Sequence, residues 1–480
     1  MHSLTTATAD ASRPPRAGRA AVRALRGRFH GALLRPGEEG YAEARRTFNG
    51  AIDRFPALIA RCSGADDVQA AQRFARERGL EVTVRGGGHS VAGHGVRDGA
   101  VMIDLSLMQA VSVDPAARVA RAAAGLRVGE LDLATQRHGL ATTLGMVSHV
   151  GLGGLTLGGG FGHLMRRHGL TVDALRAVDL VTADGERRRV DARTDPELFW
   201  GLRGGGGNFG IATAFEYDLH PVGPLVLGGP LLWPLEQAPQ VLRFVRAFAP
   251  GAPDELGMSL VAMLAPPAPF VAPEHVGRPV AGLLLCWSGD RAEGARVLAG
   301  LRGLGRPLVD AVRPLPYLAL QSIVDGSARA GGHAFWRSHR FDDLSDDVID
   351  LVVGLAGSFT SPLSLLNGWV VGGAASRVAP DATAVGPRPP GFELRLIANW
   401  APGDPDGERH VAWVRSGWDA LRPHAAAGTY ATFLADEGEA GVRAAYGDRL
   451  ERLRALKRRV DPDNVLRSNQ NIAPGNGGSS

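Results

Sequence analysis

Lysine is almost missing from this 480-residue chain. It occurs once, at Lys457, and every other basic side chain is an arginine. A mechanism that uses a lysine therefore has one candidate. Lys457 sits in an Arg-rich helical stretch, "RLERLRALKRRV" (449–460), where it reads as surface charge. Cysteine is nearly as scarce. Cys62 and Cys286 are far apart, which argues against a disulfide framework and suits buried thiols in a reducing cytoplasm. No apolar run reaches the roughly 18 to 20 residues of a membrane span. The first 25 residues also lack the apolar stretch of about 7 to 15 residues that a secretory signal carries. A cytoplasmic protein is expected, with residues 1–39 as a disordered tail. The net charge is only +4 and the arginines are spread along the chain, which argues against a nucleic-acid footprint.

Several motifs are missing too. No GxGxxG run joins a strand to a helix, and no P-loop or G-x-S-x-G nucleophile elbow occurs. His89 and His94 are five apart in a glycine-rich loop, which is not a zinc spacing, so no metal is expected.

Glycine is what the chain has in excess. It has 65 glycines, and many fall in clusters: "VRGGGHSVAGHG" (84–95), "GLGGLTLGGGFG" (151–162) and "LRGGGGNFG" (202–210). Glycine admits positive φ and close backbone approach, and successive amides can cradle an anion. Such clusters are ligand cradles or plain turns, and three of them within residues 84–210 favour the cradle.

Ser63 and Asp66 read as a capping box opening a helix over 63–80, which Gly79 closes. "LEVTV" (80–84) then runs as a strand into the first glycine cluster, and "AVMIDLS" (100–106) is a second strand. Residues 111–125 read as a hairpin turning at Asp114 and Pro115, and 174–192 as one turning at Asp184 and Gly185. Residues 127–139 are an amphipathic helix ended by Gly139. The first part is mixed α+β without simple βαβ alternation. From residue 223, Pro-rich connectors (264–273, 379–391) lie among strand-like runs such as "AGLLLCWSG" (281–289) and "FELRLIANW" (392–400), with a helix near 344–357. This is a second α+β region.

Four stretches taken in order carry a resemblance: "VTVRGGGHSVAGHG" (82–95), "GLGGLTLGGGFGHLMRRHGLTVDAL" (151–175), "LFWGLRGGGGNFGIAT" (198–213) and "DPDNVLRSNQNIAP" (461–474). Together they resemble the berberine bridge enzyme-like flavoproteins of the vanillyl-alcohol oxidase / p-cresol methylhydroxylase superfamily. The resemblance covers nearly the whole chain after residue 40. It implies an α+β fold with a two-part FAD-binding domain of the p-cresol methylhydroxylase type, over 40–222 and 426–475. A substrate domain over 223–425 carries an antiparallel sheet covered by helices.

The resemblance implies FAD, contacted by Arg85, Gly86, Gly87, Gly88, Ser90, Gly93 and His94. Further contacts come from Val147, Val150, Gly151, Gly154, Gly158, Gly159, Gly160 and Gly162, and from Gly210, Ile211, Asn469 and Asn471. His89 matches the residue that attacks the flavin 8α-methyl to form a covalent bond. The family's second anchor is a cysteine in G-x-C-x-x-V-G-x-G-G-H. Here the run is "GMVSHVGLGGL" (145–155), with Val147 at the cysteine position and Leu155 at the histidine. The implied cofactor link is therefore single, through His89. Val150 matches a place where a small residue leaves room for dioxygen, which implies an oxidase; a plain core valine is the alternative. His149 replaces a small polar residue. It packs behind the loop, or it faces the flavin to bind substrate or carry a proton.

Oxidation at a C–O or C–N bond needs a base near the heteroatom. Among five tyrosines, Tyr430 in "GTYATFLADEGE" (428–439) matches the family's Tyr-x-Asn element, with Thr432 in place of the asparagine. It is the candidate base if its surroundings lower its pKa, and otherwise a structural tyrosine. Tyr446 reads as a helix anchor. Glu393, Arg395 and Asn399 share one strand face. They line a substrate cavity or pair on a wet face. Trp336 in "HAFWRSHRF" (333–341) is a further wall candidate, beside His333. The implied function is an FAD-linked oxidase of a small molecule in secondary metabolism, passing electrons to dioxygen and releasing hydrogen peroxide. A monomer or homodimer is expected, without nucleic-acid or membrane partners. A quinone-linked dehydrogenase and a flavin-holding protein that sequesters a ligand are the alternatives.

Overall fold

The structure is a computed structural model, and it describes residues 17–435 and 437–475. Short apolar strands build a four-stranded sheet in the order Ala32–Leu34, Leu58–Arg61, Val101–Asp104, Val82–Arg85. The last three run parallel. Parallel strands are covered on both faces, so they read as near-continuous apolar runs. The helix Ala65–Glu77 connects Leu58–Arg61 to Val82–Arg85. One βαβ crossover therefore exists where the sequence suggested none. Its central strand, Val101–Asp104, comes later in the chain and masks the pattern.

A five-stranded antiparallel sheet follows, in the order Val111–Asp114, Val119–Ala123, Ile211–Asp218, Leu175–Val181, Arg187–Asp191. One apolar core joins both sheets and contains Phe74, Val101, Leu180 and Phe215. Leu453 and Leu456 of the helix Leu450–Val460 belong to the same core, so the end of the chain packs on its beginning.

The middle of the chain forms an eight-stranded sheet among the described residues. Its longer strands lie in the order Leu225–Pro234, Pro279–Trp287, Leu256–Leu264, Leu365–Val371, Gly391–Trp400, His333–Phe341, and neighbours are antiparallel. Phe392, Leu394, Leu396, Ala398 and Trp400 share a core with Val245, Ile349 and Val414, which come from helices Ala238–Phe248, Asp346–Ala356 and Gly407–Leu421. Strand alternation turns Glu393, Arg395, Ile397 and Asn399 to the other face. There the Arg395 guanidinium lies over Phe433, which packs with Phe161 and Tyr430.

Two expectations change at this level. Helix Arg19–Arg26 buries Val22 and Leu25 in the first core. The described part of residues 1–39 is packed rather than a free tail, while residues 1–16 lie outside the described residues. Ser63 and Asp66 do not form a capping box. Gly64 is the N-cap, and the buried Asp67 accepts from the Ser63 amide and hydroxyl and from the amides of His30 and Gly31. One carboxylate thus ties the N-terminal segment to the first helical turn. No helix among the described residues is long and apolar enough to cross a membrane. Cys62 and Cys286 are free and buried.

Candidate functional site

Strand Val82–Arg85 ends in Gly86, Gly87 and Gly88, the last with φ +71°. A Cβ on Gly87 would collide with the amide nitrogen of Gly151, and one on Gly151 with the amide of Gly87. The two glycine loops therefore touch backbone to backbone, which no other residue permits. Gly154 beside them faces open space. Ser90 Oγ accepts from the His94 amide at 3.3 Å and closes the loop. Arg85 also has partners within the protein. Its guanidinium lies 3.6 Å from Asp104 and donates to the carbonyls of Ala44 and Arg46, so it braces the loop.

His89 leaves this loop against the flat face of Phe48, with ring centres 4.2 Å apart and planes at 22°. Its Nε2 is 2.7 Å from Nδ1 of His149. Burial first, then the neighbouring His149 and Arg127, push the His89 pKa down to about 3, so the ring is neutral. The His149 ring lies against the His89 ring, with centres 4.7 Å apart. Val147 and Val150 flank it, half-buried, each against a different core. Both sides of this histidine pair are held from the middle sheet region. Asp325 accepts from the Ser148 amide and hydroxyl at 2.9 and 2.5 Å. Asn49, next to Phe48, exchanges two hydrogen bonds with the backbone of Ala334.

The other glycines have a different reason to be glycine. A Cβ on Gly158 would strike Thr432, on Gly159 Tyr430, on Gly160 Thr171, and on Gly162 the carbonyl of Leu144. Gly93 closes on Ile52, and Gly210, before Ile211, closes on Leu180. Protein packing by itself demands glycine at these positions. Tyr430 stacks on Phe161 with centres 4.4 Å apart, and its hydroxyl oxygen accepts from the Gly160 amide. Burial raises the phenol pKa. The condition for Tyr430 as base, a lowered pKa, is not met.

Glu393 on the inner sheet face is 3% exposed, and its Oε1 has no hydrogen-bond partner. Burial raises its pKa to about 7, with Arg395 and Arg340 opposing the rise. Arg395 donates through Nε to Asn367 at 3.0 Å and stands 4.1 Å over the Phe433 ring and 5.7 Å from Trp336. The Trp336 indole nitrogen is buried without a partner. A lone acceptor and a lone donor thus share this face. His333 packs edge-on against Trp400 and is not part of it.

The C-terminal segment brings Asn469 and Asn471 beside the glycines. The Cβ position of Gly207 lies 3.9 Å from Asn469 Nδ2, and Asn208 Oδ1 accepts from the amide of Ile472. Lys457 is fully buried here, not on the surface, and is paired with Asp461. Phe48, Asn367, Asp325 and the Lys457–Asp461 pair went unnoticed in the sequence. Only the last left a trace there, as an i, i+4 pair around the single lysine.

Residues 56–191 match the FAD binding domain family, and residues 434–473 match the berberine and berberine-like family. The (R)-6-hydroxynicotine oxidase of Paenarthrobacter nicotinovorans is 30% identical, over 93% of this chain and 97% of its own. The chain belongs to the berberine bridge enzyme-like FAD-linked oxidoreductases. An uncharacterised FAD-linked oxidoreductase of Bacillus subtilis, YgaK, is also 30% identical, over 92% of this chain and 97% of its own. The crystal structure of 6-hydroxy-D-nicotine oxidase from Arthrobacter nicotinovorans superposes with TM-score 0.84 and 27% identity, covering 93% of this chain and 98% of that one. This berberine bridge enzyme-like chain is thus an FAD-dependent oxidoreductase of the p-cresol methylhydroxylase fold. Its residues fit FAD on their own terms. Buried polar atoms without partners, Oδ1 of Asn469, Oδ1 of Asn471 and Nε2 of His94, are set in segments around the glycine loops. Buried polar atoms ordinarily have partners, and a polar cofactor would supply them.

Proposed function

We propose that the chain is an oxidase that holds FAD covalently through His89 alone and oxidises a C–O or C–N bond of a small secondary metabolite. Residues 40–222 and 426–475 hold the cofactor, and 223–425 present the substrate. The chemistry that FAD supplies when bound is two-electron oxidation, with dioxygen as final acceptor and hydrogen peroxide as product.

The chain's own groups do the rest. The amides of the Gly86–Gly88 run and of Gly151 would hold the pyrophosphate as an anion nest. Asn469, Asn471 and His94 offer their free polar atoms to the cofactor. Neutral His89 keeps a nitrogen lone pair for attachment. Glu393 takes the substrate proton at Oε1, since a base with a pKa near neutral is both ionised and basic at working pH. The Arg395 guanidinium and the Trp336 indole N–H orient polar groups of the substrate. Val150 leaves room for dioxygen. The similarity to (R)-6-hydroxynicotine oxidase, named for a nitrogen-containing substrate, supports the C–N option.

The observation that carries this reading is the unpartnered, buried Glu393 Oε1 on the face turned toward Tyr430 and the glycine loops. The test has two parts. Acid precipitation and peptide mapping should leave flavin on a peptide containing His89, whereas flavin wholly in the supernatant refutes attachment. A substrate screen should release peroxide in air. Flavin that stays reduced in air but is reoxidised by a quinone would make the protein a dehydrogenase. Flavin that no substrate reduces would leave a ligand-holding protein.

A further inference from the structure

We propose that the substrate is a carboxylic acid: the Nη edge of Arg395 holds its carboxylate, and the carbon to be oxidised lies several bonds away, at Glu393. The inference rests on the oxidase reading above and names the substrate class of that same site.

Arg395 stands on the inner sheet face, directly opposite Asn367 of the neighbouring strand. Its Nε donates to Asn367 Oδ1 at 3.0 Å, and no other hydrogen bond to its guanidinium is formed among the described residues. Phe433 covers one face of the group at 4.1 Å. With Nε and a face taken, the edge carrying both Nη groups is left. Two parallel N–H bonds from such an edge match the two oxygens of a carboxylate. The residue is half-buried, so this edge meets open space. The unpartnered indole N–H of Trp336 shares the same face. Donors gathered in this way suit an anion.

The charges point to a monoanion. On the adjacent strand Arg337 pairs with Glu437 and Arg340 with Asp342. Arg395 belongs to no ion pair among the described residues. Burial lowers its pKa from 12.5 to about 10, so it stays cationic near neutral pH. Glu393 is the carboxyl that influences it, yet burial raises Glu393 itself to about 7, and near neutrality much of it is protonated. A buried cation without a counter-ion is costly, and one carboxylate would balance it. A phosphate ester would bring a second negative charge with no further cation to meet it.

The spacing narrows the class. Alternate residues of a strand stand about 6.6 Å apart, and no ion pair closes the gap between Glu393 and Arg395. A substrate that spans them carries its acid group several bonds from the carbon that loses hydrogen. That geometry disfavours α-hydroxy and α-amino acids, in which the carboxylate sits on the reacting carbon. Tyr430, Phe161 and Phe433, packed ring against ring beside Arg395, suit an aromatic body between the two ends.

The experiment reads binding to the FAD-bound, full-length protein as a shift of the flavin absorbance on titration. Benzoate should bind about tenfold or more tighter than benzamide, which has the same ring and shape without the charge, and tighter than phenyl phosphate. Arg395→Gln should weaken benzoate about a hundredfold and leave benzamide unchanged. Arg395→Lys, which keeps the charge without the fork, should recover part of the loss. The proposal is overturned if benzoate does not bind, if benzamide or phenyl phosphate binds as tightly, or if Arg395→Gln holds benzoate undiminished. Should Arg395→Gln fail to fold, the acid and the amide compared on the unaltered protein decide the matter. Mandelate reducing the flavin faster than para-(hydroxymethyl)benzoate overturns the spacing. Benzoate held through Arg395 in a protein whose flavin no substrate reduces would overturn the oxidase reading alone. Flavin reduced by neutral alcohols or amines but by no acid would overturn the acid class alone.

Discussion

Lys457 Nζ lies 2.6 Å from Asp461 Oδ2, with both side chains essentially out of reach of water. The ammonium also donates to the carbonyls of Asn208 and Leu466 at 2.9 and 3.0 Å. Asp461 accepts from the amides of Val465 and Leu466. This pair therefore joins the third glycine cluster to the segment carrying Asn469 and Asn471.

Lys457→Met leaves a buried carboxylate without its counter-ion. Removing one partner of such a pair typically costs about 3 to 5 kcal/mol, and urea unfolding should read a loss of that size. In the native protein Lys457 should resist an acylating reagent and take the label only after denaturation.

Glu393 as the base should make activity depend on pH. Its pKa rises from 4.5 to about 7 on folding, chiefly through burial. As a base it must be ionised, so kcat/KM should climb with pH and level off above about 7. Glu393→Gln should lose that limb and roughly 100- to 10,000-fold in rate. The stability sign is opposite. From pH 4.5 to about 7 the folded chain holds this proton more tightly than the unfolded chain, so the contribution of Glu393 falls as pH rises. Glu393→Gln should flatten that slope in a series of thermal midpoints.

Tyr430→Phe separates the two base candidates. It removes the acceptor of the Gly160 amide, and an unpaired buried donor costs about 1 to 3 kcal/mol. The pH limb near 7 should survive in this variant. Loss of the limb in Tyr430→Phe, with retention in Glu393→Gln, would return the role to the tyrosine.

Acid should destabilise the fold through its buried histidines. His163 is 2% exposed, its Nε2 has no partner, and burial pushes its pKa from 6.5 to about 4. His94 moves the same way for the same reason. Between these values the unfolded chain binds more protons, so stability falls as pH drops from 6.5 to about 4. His163→Phe, packed against Trp369, should make thermal midpoints less sensitive to acid over that range.

The strand leading into the first glycine cluster, the two hairpins and the prominence of His89 were all legible in the sequence. Each is written within a few neighbouring residues: a strand, then glycines where backbone must approach backbone, then a ring. The helix Leu450–Val460 was legible as a helix, but its lysine was misread. An i, i+4 Lys–Asp pair looks the same on a wet face and a dry one, and Asn208 reaches it from 249 positions away. The packing of the second glycine run was hidden for a related reason: Thr432 and Tyr430, which close on Gly158 and Gly159, arrive from the far end of the chain.

Local backbone demands and hydrophobic alternation were thus determined by the sequence alone: where strands run, where only glycine fits, and that Glu393 and Arg395 share a face. Tertiary structure decided which face the helices cover, which polar atoms are left without partners, and that His149 meets His89 across 60 residues. The physical reason is range. Conformational preference acts over a turn or two, whereas burial and the identity of a partner exist only once distant segments have packed.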